Sequence, residues 1–163
     1  MCFDNDKGGI SGHIIRPEHA EDYGFRPGRS VHQAVAQAQR PVPTLWANCV
    51  NQGRIDDLIA LYDEGATVMP TFSPSAVRNR EELRSYFMRL SSREGLHVKL
   101  HEMTFDCLWT GEQSYVINGI YDFKFNVDGT LRTFPSRFTF VIDLGKESPI
   151  LHHHSSQVPQ HLT

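Results

Sequence analysis

Residues 152–156 read His-His-His-Ser-Ser, close to the end of a 163-residue chain. Histidine exchanges a proton near neutrality, with an ordinary pKa of about 6.5, and a serine hydroxyl both donates and accepts a hydrogen bond. A purification tag is the plain alternative for such a run. Engineered runs, however, usually hold at least about six histidines, and this one continues directly from Ile150 and Leu151, an apolar strand-like start. Three histidines also suggest a zinc site in which metal-bound water becomes a nucleophile near pH 7. Strand geometry argues against it: successive side chains leave opposite faces, so His152 and His154 point together and His153 points the other way. A two-histidine site at His152 and His154 stays open, without a third ligand that the sequence can name. The same alternation pairs His153 with Ser155. In a closed pocket that pair can position a water or a small oxyanion; at a sheet end it can simply complete a hydrogen-bond network.

Other polar groups can reach the same space. Tyr86 lies on an apolar helical stripe with Leu83, Phe87 and Leu90, so its ring faces the core while its hydroxyl needs a polar partner. Thr71 stands between Pro70 and Phe72 at a strand-to-loop transition, where a hydroxyl serves either a pocket or a local cap. Arg137 would be a buried cation awaiting an anion if its face of the strand is the inner one. Asp143 on that face is its alternative partner.

These groups need elements to hold them. Residues 1–40 lack apolar periodicity and read as an arm or linker, with a short helix possible near Val31–Ala38, while 41–160 reads as a single domain. Thr44 is expected to cap a first helix carrying Leu45, Trp46, Cys49 and Val50, ended by Gly53. A second helix is expected to place Ile55, Leu58, Ile59 and Tyr62 on one face and stop at Gly65. A short strand near Ala66–Met69 follows, then a third helix started by Asn79 and Glu82. The remainder alternates like strands, with turns at Thr110-Gly111 and Asp128-Gly129 and a last strand from Pro149. Helices followed by long antiparallel strands indicate an α+β fold, with the N-terminal helices packed on one face of a strongly curved sheet that forms a cone. Along one strand Phe138, Phe140 and Ile142 face one way, and Arg137, Thr139 and Val141 the other.

Composition excludes some function classes. A formal charge of −3 leaves no basic stripe for nucleic acid and no cationic patch for an anionic membrane. No apolar run approaches the ~18 residues of a membrane span. Cys2, Cys49 and Cys107 are odd in number and lack C-x-x-C spacing, which favours a reducing compartment: the cytoplasm, or an organelle stroma if the chain is a processed fragment.

Taken in order, Trp46, Gly53, Tyr62-x-x-x-Ala66, "PTFS" at 70–73, "VRN" at 77–79, "SYF" at 85–87, "SRFTFV" at 136–141 and "LHHHSS" at 151–156 resemble the calcium/calmodulin-dependent kinase II association-domain proteins of the nuclear transport factor 2-like superfamily. Within them the chain is most similar to the iota-class carbonic anhydrases. The resemblance implies a conical α+β fold, a homodimer assembled through the sheet, and reversible hydration of carbon dioxide to bicarbonate. Carried over by position, it implies Thr71, Tyr86, His153 and Ser155 as pocket residues. No metal cofactor is expected, with manganese or zinc as the alternative. The competing function is a non-catalytic association or small-ligand-binding module of the same fold.

Overall fold

The computed structural model describes residues 42–159. The 1–40 arm, its helix near Val31–Ala38 and Cys2 lie outside the described residues. Three helices, α1 (Val42–Asn51), α2 (Ile55–Ala60) and α3 (Arg80–Ser91), accompany five strands: β1 (Tyr62–Met69), β2 (His97–Trp109), β3 (Ser114–Val127), β4 (Thr130–Asp143) and β5 (Ile150–Gln157). The strands form one sheet in the order β1-β5-β4-β3-β2. All neighbours are antiparallel except the β1–β5 pair. The expected α+β architecture, with helices on a curled mixed sheet, is what the chain adopts.

Local chemistry explains most element ends. Gly53, at φ 64°, takes the left-handed conformation that closes a helix at little cost. The Asn79 side chain accepts from the Glu82 amide at 2.9 Å, capping α3. Glu82 returns a carboxylate oxygen to the Arg78 amide at 3.1 Å. Asp128 and Gly129 both have positive φ, 52° and 74°, as a two-residue hairpin between β3 and β4 requires.

Two helix boundaries differ from expectation. The first helix begins at Val42, so Thr44 lies inside it rather than capping it. The second ends at Ala60, and Tyr62 opens β1. Tyr62 fits the helical spacing, but tertiary bonds override it: Leu61 accepts from the Ile150 amide at 2.9 Å, and Tyr62 pairs with Ile150 across the parallel ladder. A six-residue helix has little stability of its own to oppose that.

The core lies between the helices and the concave sheet face. Trp46 of α1 stacks on Tyr121 of β3 at 5.5 Å and meets Phe87, Phe123 and Phe140 edge-on. Asn51 docks the end of α1 on edge strand β2: its side chain donates to the Val98 carbonyl at 2.8 Å and accepts the Val98 amide at 2.6 Å. At buried Gly119 a Cβ would come within 2.7 Å of the Phe105 and Phe138 rings. That close packing lets Phe138 lie flat on Tyr121 at 5.0 Å.

Candidate functional site

Strand alternation decides which side chains of β5 enter the core. His153 and Ser155 are buried, His154 is exposed and His152 half-buried. A register irregularity between Val141 and Ile142 absorbs one extra residue of β5 before His152. From there the inward set is fixed by pairing: His153 lies opposite Phe140 on β4 and Val68 on β1.

His153 is held on both nitrogens. Its Nδ1 faces the Tyr62 hydroxyl at 2.9 Å, and that hydroxyl accepts the Trp46 indole N–H at 2.8 Å. Its Nε2 faces the Tyr121 hydroxyl at 3.3 Å. Tyr121 donates to Ser155 at 2.5 Å, and Ser155 is hydrogen-bonded to Thr71. The imidazole stacks on Phe140 at 3.9 Å and takes the Trp46 edge at 5.2 Å. A single polar thread therefore crosses an aromatic core, from Trp46 on α1 to Thr71 in the loop after β1.

Its electrostatics are those of a neutral site. Burial, and to a smaller degree the neighbouring His152 and His154, pushes the His153 imidazole down to about 3. The ring is therefore uncharged at neutral pH, so it relays hydrogen bonds instead of storing a proton. Burial also pushes the Tyr121 and Tyr62 phenols well up, and Tyr86 up to about 12. The Cys107 thiol is raised to about 11 by burial, which leaves it inert near neutrality.

The thread borders a small cavity. Trp46, Val68, Pro70, Phe87, Leu90 and Phe123 supply its apolar lining, and Thr71, Tyr86, Tyr121, His153 and Ser155 its polar side. The room left for the centre of a water-sized molecule is about 10 Å³, on the order of what one water needs. Thr71, His153, Ser155 and Tyr86 thus meet at one place. Tyr86 is not a link of the thread: its phenol engages the Phe72 backbone instead.

Arg137 is a correction. It is exposed, because Phe138 and Phe140 take the inner positions and place the residue before them outside. It lines no part of the cavity. Asp143 accepts the Gly145 amide at 2.9 Å and shapes a turn.

Three members of the thread, Trp46, Tyr62 and Tyr121, fall outside the set chosen from the sequence. Tyr121 had a legible signal: in β3 it alternates with Tyr115, Ile117, Phe123 and Phe125, so its hydroxyl must find a buried partner. Trp46 and Tyr62 read only as apolar helix faces, since the pairing that brings them to His153 spans 91 residues.

As for a metal, no three His, Cys, Asp or Glu side chains converge among the described residues. Of the histidine run, only His153 borders the cavity. This donor set does not fit a zinc or manganese site at the cavity.

A cone of helices on a curled five-stranded mixed sheet, with a cavity in its mouth, defines the nuclear transport factor 2-like class. The model of the SnoaL-like domain matches residues 41–160, and the chain belongs to that family, whose fold serves both as an enzyme and as a ligand-binding module. Similar solved structures include a putative calcium/calmodulin-dependent protein kinase II association domain from Xanthomonas campestris. It is 22% identical with a TM-score of 0.66, over 86% of this chain and 96% of that one. A protein with a cystatin-like fold from Caulobacter vibrioides is 11% identical, TM-score 0.61, over 73% and 86%. A protein with a ketosteroid isomerase-like fold from Catenulispora acidiphila, in complex with trimethylamine, is 16% identical, TM-score 0.54, over 71% and 83%. At these identities the likeness is one of fold. No curated protein matches the chain. No helix among the described residues is long and apolar enough to cross a membrane.

Proposed function

We propose that the chain hydrates carbon dioxide in this cavity, as a carbonic anhydrase of the iota type. One observation carries the reading: an aromatic cup with room on the order of one water, walled on one side by the connected hydroxyls of Thr71, Ser155 and Tyr121. Such a cup suits a small apolar molecule that acquires polar oxygens as it reacts. Carbon dioxide and its attacking water together need the cup to widen beyond the room for one water, and a fused-ring ligand would require the aromatic walls to part altogether. The ordered resemblance of "PTFS" and "LHHHSS" supports the same reading.

A neutral wall calls for a neutral reaction. Water attacks the carbon and forms the new C–O bond, while one C=O electron pair moves onto its oxygen. The water gives a proton to Ser155, Ser155 passes its own to Thr71, and Thr71 delivers its proton to the carbon dioxide oxygen. Carbonic acid leaves and ionises to bicarbonate in solvent, so no residue ends with a changed charge. Thr71, the half-buried member of the wall, stands where water enters. Donors already aimed at the developing oxygen charge in a dry site contribute about 3 kcal/mol each. Tyr121 and His153 hold Ser155 in place, and Tyr86 closes the far side.

The test is stopped-flow hydration of carbon dioxide by the wild-type chain and Ser155→Ala. Catalysis above the buffer rate that falls about 10²-fold in the variant is the expected result. No catalysis by the wild type would remove the reading.

The association-module reading has its own observation: Met103, Leu108 and Leu131 are exposed at 91%, 66% and 61%, the first two on edge strand β2. Self-association through that side would bury them and would give the homodimer, which light scattering tests directly. It is compatible with catalysis in the cone.

A further inference from the structure

The hydrogen bonds around His153 form a line with two unlike ends. At one end is Trp46, whose indole nitrogen can only donate. At the other is Thr71, at the cavity. Between them lie Tyr62, His153, Tyr121 and Ser155, each able both to give and to receive. Trp46 donates to the Tyr62 oxygen, which leaves Tyr62 one proton to place. Tyr62 is fully buried, and beside the indole its side-chain hydroxyl has the Nδ1 of His153 at 2.9 Å. If His153 donated there instead, the Tyr62 proton would be stranded in the core, where an unmade hydrogen bond costs more than a made one contributes.

Each link then sets the next. With Nδ1 accepting, a neutral His153 carries its proton on Nε2 and gives it to Tyr121. Tyr121 gives to Ser155, and Ser155, left with its own proton to place, gives it to its hydrogen-bond partner Thr71. Burial raises the Tyr121 phenol, and a hydrogen bond from the Thr71 hydroxyl offsets a small part of that rise, so the Thr71 proton can rest on the phenol oxygen. It is the one proton of the line with a choice of partner, and an acceptor arriving in the cavity competes for it.

We propose that Trp46 and Tyr62 are positioning residues that polarise this line toward the cavity, so that Thr71 meets its ligand as a donor and the site selects small molecules bearing an acceptor oxygen, the oxyanions formate and bicarbonate among them. The inference deepens the carbon dioxide reading and rests on its choice of the cavity as the working site. It adds a direction: the order Ser155 to Thr71 to ligand is the one in which a proton is delivered to a forming product oxygen.

The ring nitrogens of His153 report the direction without any assay of turnover. In wild-type protein labelled with ¹⁵N in histidine, the His153 signals are expected to be those of the Nε2–H tautomer. The Nδ1–H tautomer would overturn the proposal, whatever the activity. Trp46→Phe keeps a ring and deletes the donor, and should yield a mixture of tautomers. An unchanged pure Nε2–H signal in a folded Trp46→Phe chain would also overturn the assignment to Trp46. If that variant does not fold, the wild-type tautomer still decides. Titration with sodium formate should perturb the Thr71 methyl signal, with binding at least tenfold weaker in Thr71→Val, while methylammonium chloride leaves the cavity signals unmoved. Equal binding of formate and methylammonium contradicts the donor role. A chain with the Nε2–H tautomer and formate binding but no hydration activity would sink the carbon dioxide reading and leave the polarity of the site standing.

Discussion

Two consecutive histidines of one strand have opposite fates. His153 is buried against Phe140, engaged through both nitrogens and held neutral by its surroundings. His154, the next residue, is exposed on the outer face, together with Arg137. Residue type is the same, so the difference comes from the period of two in the strand and from what the helices bring to the inner face. A histidine run is thus not one site but two half-sets, of which only the inner one can do chemistry in the cavity.

The largest expected effects test that division. Ser155→Ala and Thr71→Val each break the hydroxyl wall and should lower hydration by about 10²–10³-fold, the scale of losing one preorganised donor. His154→Ala and Arg137→Ala should leave activity within twofold. A loss at His154 as large as at Ser155 would break the comparison between the faces.

Acid stability separates the faces next. The folded-state pKa of His153 is lowered to about 3 against about 6.5 in the unfolded chain. Between those values the unfolded state binds more protons, so stability rises with pH there. This contribution is fully present above about pH 6.5 and is lost as pH falls toward 3, at about 1.4 kcal/mol per unit. His153→Gln, a neutral side chain, should start from lower stability at pH 7 and show a shallower decline in acid. His154→Gln, on the outer face, removes no bond of the thread and should keep the wild-type stability at pH 7. Denaturant melts from pH 7 to 4 read this directly.

Among the residues that line the cavity the smallest effect belongs to Tyr86, whose phenol is tied to the Phe72 backbone and not to the thread. Tyr86→Phe should cost about 1 kcal/mol for the lost buried bond and less than tenfold in turnover. A loss near that of Ser155→Ala would move Tyr86 from the border of the cavity into the reacting set.

Much of the fold was readable where the cause is local. Asn79 and Glu82 mark a helix start, Asp128-Gly129 a hairpin and Phe138-x-Phe140-x-Ile142 an inner face, because caps, positive φ and alternation each act within a few residues. Tyr62 escaped because a helical spacing continues through it, and only the parallel pairing with β5 pulls it into a strand. Arg137 could not be assigned a face until the aromatic residues beside it were known to point inward. The meeting of Thr71, His153 and Ser155 followed from strand parity and the resemblance together. Their neutrality could not be read from the sequence, because it depends on how deeply Trp46, Tyr121 and Phe140 cover the imidazole. An exposed histidine–serine pair of the same sequence would exchange protons near pH 6.5.

That neutrality is the central claim, and the pH dependence of kcat for chelator-treated protein tests it most directly. Burial moves His153, Tyr86 and Tyr121 at the cavity, and Tyr62 behind them, away from neutrality. Stopped-flow hydration is therefore expected to persist after chelation and to hold a nearly constant kcat from pH 6 to 9. A rate that vanishes on chelation and returns with manganese or zinc, or one that climbs through a pKa near 7 as a metal-bound water would, would contradict it.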